Sequence, residues 1–147
     1  MKKLLFLFCL LSWSVLHAQK TINRPPFIAK ATETIEIAAI HLSDTATVVD
    51  VDAKFIPKNW IRIAPATCLV ADNGERYQVR QGVGIELGQE FWMPESGEAT
   101  FSLIFPPLPA SVKSFDFVEG EGERDFNLFG ISLIGKLPKL QLPKDLG

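Results

Sequence analysis

Across residues 34–134 no window places apolar side chains at helical spacing, whereas alternation with a period of two recurs from turn to turn. This periodicity limits the fold more than any other feature. It puts apolar groups on one face of an extended strand and polar groups on the other. Residues 45–55 show it best: Thr47, Val49, Val51, Ala53 and Phe55 face one way, and Val48, Asp50, Asp52 and Lys54 the other. Residues 34–42 start alike with Ile35 and Ile37, then change phase at Ala38-Ala39, which predicts a bulge or bend. Further strands are predicted at 60–63, 67–71, 76–83, 90–93, 98–105, 114–118 and 125–133, the last with Gly130 inside it.

The breaks between these segments have local causes. Asp72-Asn73-Gly74-Glu75 is a hairpin signal, because Asn and Gly tolerate the positive φ that tight turns need. Pro94-Glu95-Ser96-Gly97 is a second turn. Pro106-Pro107-Leu108-Pro109 cannot continue a ladder without its N–H groups, and is predicted to cross between sheets. The fold class expected is all-β: a two-sheet antiparallel immunoglobulin-like sandwich of about eight or nine strands, after an N-terminal signal helix. The paired cysteines of an antibody domain are absent, so the likeness is architectural only. Residues 19–33 are predicted to be an extended lead-in, residues 34–134 the sandwich, and residues 135–147, with Leu-Pro-Lys twice, a tail or linker.

The first 18 residues have the order of a signal peptide: Lys2 and Lys3, an unbroken apolar run over 4–11, then His17-Ala18-Gln19. The run is shorter than the roughly 20 residues that span a bilayer. Cleavage is expected between Ala18 and Gln19, leaving no membrane anchor. Phe8 stands before Cys9 where lipidation requires a small residue, so no lipid is expected there. The mature chain is therefore expected to be periplasmic or secreted, with 129 of the 147 residues, enough for one domain with a real core. Losing Lys2 and Lys3 leaves 13 basic against 17 acidic side chains, a net charge of −4 that does not favour nucleic acid.

Candidate chemistry is sparse. Cys68 is the one cysteine after cleavage, which excludes an internal disulfide, and its apolar setting predicts a buried small hydrophobe. His41 is the one histidine after cleavage, so zinc sites built on several His or Cys lack ligands. A Cys68/His41 nucleophile pair has no accompanying oxyanion motif, and no Gly-x-Ser-x-Gly elbow exists. The acidic stretch 119–125 reads as a solvated hairpin loop, with calcium as the alternative. Gly82-Val83-Gly84 precedes no helix and is read as a bend. Trp60 and Trp92 are either packed between sheets or exposed as anchors. With Tyr77 they form the candidate binding surface. No catalytic residue, metal or cofactor is expected.

Three segments together carry a resemblance: 68–77, around Asp72-Asn73-Gly74-Glu75-Arg76-Tyr77; 91–109, from Phe91-Trp92-Met93-Pro94 to Phe105-Pro106-Pro107; and Phe115-Asp116-Phe117-Val118-Glu119-Gly120. Over residues 30 to 134 the chain resembles the exported immunoglobulin-like β-sandwich domain that precedes a thioredoxin-like domain in bacterial thiol-disulfide proteins. In that family the redox work belongs to a Cys-x-x-Cys on the following domain, and this chain has no such motif. The resemblance thus implies a non-catalytic accessory or interaction module with a protein partner in the cell envelope. Its redox neighbour would be a separate chain or missing. The alternative expectation is a small-ligand or glycan-binding module.

Overall fold

The computed structural model describes residues 19–120 and 126–137. The expected signal helix, Cys9 and Ala18, the middle of the acidic loop, and the tail beyond Leu137 lie outside the described residues. The described chain is all-β, without a helix and with every strand pair antiparallel. In order the strands are β1 (Lys20–Asn23), β2 (Ala29–Lys30), β3 (Ile35–Leu42), β4 (Thr47–Lys54), β5 (Trp60–Ile61), β6 (Cys68–Ala71), β7 (Arg76–Gln78), β8 (Gln81–Val83), β9 (Phe91–Trp92), β10 (Glu98–Phe105), β11 (Ser114–Val118) and β12 (Asn127–Ser132). One five-stranded sheet has the order β1-β3-β4-β10-β8, and a second the order β2-β12-β11-β6-β7. A two-stranded ribbon pairs β5 with β9.

The alternating pattern is what builds the core. On β4, Thr47, Val49, Val51 and Ala53 are buried, and on β10 Phe101, Leu103 and Phe105. The second sheet supplies Leu69 from β6, Phe115 and Phe117 from β11, and Leu128 and Ile131 from β12 to the same cluster. Phe105 and Phe117 meet across the two sheets edge to face, with centroids 6.3 Å apart. Each such fully buried side chain contributes about 1.5–3 kcal/mol of transfer free energy.

Predicted breaks are found with their causes. The ladder between β3 and β4 shifts between Ile37 and Ala39, where the apolar phase slips. Gly74 turns the β6–β7 hairpin at φ +85°, and the Asn73 side chain accepts the N–H of Glu75 at 2.8 Å. The proline run connects β10 of the first sheet to β11 of the second.

Two readings need correction. The chain has twelve described strands, not eight or nine, in part because the lead-in joins both sheets: β1 pairs with β3, and β2 with β12. Neither strand has an alternating apolar face, since edge strands half open to water need little of one. Residues 76–83 are not one strand. The N–H of Val79 bonds Thr67, just before β6 of the second sheet, and the N–H of Arg80 bonds Ile104 in the first, so the chain changes sheets between adjacent residues. Tyr77 and Val79 alternate with Arg76, Gln78 and Arg80 right up to that corner, so the pattern does not announce it.

Candidate functional site

The β5–β9 ribbon is fixed at its Trp60–Trp92 end by turns. Lys58 adopts φ +66° after Pro57, and its N–H donates to the Met93 carbonyl at 3.2 Å. The Met93 N–H returns to the Asn59 carbonyl at 2.7 Å. Trp60 stands directly opposite Trp92, and Ile61 opposite Phe91. Residues opposed in this way share a face. Ile61 is buried in the core, and Phe91 packs on it with its ring 6.1 Å from that of Phe101. The period of two then turns both indoles outward, leaving Trp60 44% and Trp92 60% exposed. Ile56, in the turn before β5, is 59% exposed.

Trp60 also forms one wall of an open groove of about 650 Å³. Phe55, Ile61 and Phe126 add apolar wall, and Glu33, Arg62 and Glu119 add polar groups. Several of these are held in place. Arg62 donates through Nε to the Gly88 carbonyl at 3.0 Å. The Glu119 carboxylate accepts the N–H of Ala64 at 3.0 Å and that of Phe126 at 3.1 Å, tying two loops at the floor. Glu119 is thus committed to backbone amides, while residues 121–125 of the acidic loop lie outside the described residues. Among the described residues no three His, Cys, Asp or Glu side chains are placed to hold a metal ion.

Of the predicted binding surface, the structure joins Trp60 and Trp92 but not Tyr77. Tyr77 lies opposite Leu69 on β7, at the edge of the second sheet, half-buried against the core and away from the groove lining. Cys68 and His41 are likewise separated, one in each five-stranded sheet. Cys68 is buried, and its Sγ accepts a hydrogen bond from Arg76 Nη1 at 3.5 Å.

One polar constellation was not foreseen. On the first sheet, Ser102 Oγ donates to Asp50 Oδ1 at 2.6 Å, His41 Nε2 lies 2.7 Å from Asp50 Oδ2, and Thr21 Oγ1 lies 3.0 Å from His41 Nδ1. The chain of contacts crosses four strands: β10, β4, β3 and β1. Burial pushes the Asp50 carboxyl up, but hydrogen bonds from Ser102 and His41, with the charge on His41, outweigh it and hold the group below its ordinary value. The serine donates to the carboxylate and not to the imidazole, so His41 is not placed to take its proton. Only the cross-strand register brings these residues together, and a single sequence does not show it.

The chain matches no family model, no curated protein and no solved structure.

Proposed function

We propose that this protein is an exported, non-catalytic immunoglobulin-like β-sandwich module that binds a protein partner in the cell envelope through the β5–β9 ribbon. The observation that carries this reading is the Trp60–Trp92 pair: two large aromatic side chains, directly opposed, both turned to solvent, with exposed Ile56 beside them. Exposed clusters of this kind mark interaction surfaces, and tryptophan is the residue most enriched among binding hot spots. The sandwich reading is supported by two five-stranded sheets feeding one core, and the export reading by the first 18 residues. The resemblance makes a thioredoxin-like protein the first partner to test, since this chain lacks the Cys-x-x-Cys of that family.

The test is in-cell photo-crosslinking from Asn59 in the native host, with and without Trp60→Ala and Trp92→Ala. A single thioredoxin-like protein is expected to be captured by the wild type and lost with the double variant. Capture that persists unchanged in the double variant rules out the ribbon as the contact. No captured protein at all rules out the module reading.

A second reading rests on the groove beside Trp60, where aromatic wall adjoins Glu33, Arg62 and Glu119. Apolar surface with a few fixed polar groups is the chemistry of a small-ligand site. In this reading the occupant is a glycan stacking on Trp60. Titration with soluble envelope oligosaccharides then changes tryptophan fluorescence, and a flat titration excludes it.

A further inference from the structure

We infer that the mature protein carries a pyroglutamate at position 19, formed by cyclisation of Gln19. The inference rests on the export reading, because cleavage after Ala18 is what gives Gln19 a free α-amino group. In that state the amine and the side-chain carboxamide belong to one residue and close a five-membered lactam. Holding both reactants on one short chain supplies the proximity that makes such a step fast. The Gln19 nitrogen attacks Cδ and forms the N–Cδ bond. The Cδ–Nε2 bond breaks, and Nε2 leaves as ammonia with a proton from the attacking nitrogen. No oxidant, reductant or other reactant is needed.

The fold leaves this residue, and none after it, free to react. The β1–β3 ladder begins at Lys20, opposite Leu42, and the Lys20 ammonium donates to the Leu133 carbonyl at 3.4 Å. Gln19 stands one residue outside the ladder, exposed, and makes no hydrogen bond among the described residues. It lies at the rim of a shallow groove of about 510 Å³ whose wall includes Leu42, Leu108, Val112 and Leu133.

The experiment is intact-mass analysis and N-terminal sequencing of the full chain secreted by a bacterial host, after incubation of the purified protein at neutral pH. The expected product has the mass of residues 19–147 less one ammonia and is blocked to sequencing. Gln19→Asn keeps the amide but would need a strained four-membered ring. It is expected to show the full mass and an open terminus. A wild-type chain that starts at Gln19 with full mass and a free amine overturns the cyclisation while leaving the export reading intact. A chain left uncut, or cut elsewhere, overturns the cyclisation together with the cleavage after Ala18 on which it rests.

Discussion

At Gly130 the backbone adopts φ +66°, and a Cβ there would lie 2.5 Å from Cδ1 and 2.9 Å from Cβ of Ile28. Both the conformation and the contact oppose any side chain, so Gly130→Ala is expected to cost about 1–3 kcal/mol, read as a lower urea midpoint at unchanged slope. Thr47 presents the opposite case. Its hydroxyl is fully buried without a hydrogen-bond partner among the described residues. Thr47→Val removes that unsatisfied group at equal shape and is expected to raise stability by up to about 1 kcal/mol in the same assay. Asp50 carries the pH dependence. Its folded carboxyl sits below the ordinary value, so its contribution is complete above the unfolded value near 3.8 and is lost as the pH falls through the folded value. Asp50→Asn is expected to flatten the acid limb of the stability curve below about pH 4 and leave its neutral part parallel to wild type. The sequence made the inward faces of these strands legible: Val49 and Val51 are buried where alternation puts them. It did not show the Asp50–His41 contact. Asp50 stands opposite Ala39 and His41 opposite Val48, a diagonal fixed by the bulge before Ala39 and by which strands are neighbours.

Strand β4 and strand β10 pair along their full lengths, Thr47 with Phe105 through Lys54 with Glu98, and each has another strand on its far side. Their amides are expected to exchange most slowly, and those of the edge strands β1, β2, β7 and β8 markedly faster, in native-state hydrogen exchange. The β5–β9 ribbon answers differently to mutation. Trp60 and Trp92 point outward, so the double alanine variant is expected to change stability by less than about 1 kcal/mol while losing crosslinking. A large drop in thermal midpoint would instead make the pair a structural prop. The strands of the ribbon, at 60–63 and 90–93, were legible in the sequence, though not their pairing. Its outward indoles were not, because two residues per strand give alternation no phase to read. Nor was the assignment of β7 and β8 to different sheets, since the alternation of Tyr77 and Val79 runs up to the corner at Val79 and Arg80 without showing which strand each side will pair with.

Taken whole, the described chain closes one hydrophobic cluster from both five-stranded sheets and needs no covalent staple. The thermal midpoint is expected to be the same with and without reductant. Cys68, buried under Arg76, is expected to react with a thiol reagent only at the rate of unfolding; fast modification of the native protein would contradict its placement. The all-β class was legible because nearly every core residue lies in a period-two segment. The inclusion of residues 20–23 and 29–30 in the sheets was not, since β1 and β2 hold their places by backbone hydrogen bonds that any sequence without proline can make. Those borders have a consequence for behaviour in bulk. Each five-stranded sheet ends on strands of two to four residues: β1 and β8 on one, β2 and β7 on the other. An incoming strand finds at most a few unpaired amides in a row before the chain turns away, too short a template for edge-to-edge growth. The short edge strands of the described chain thereby disfavour fibril growth from its folded state.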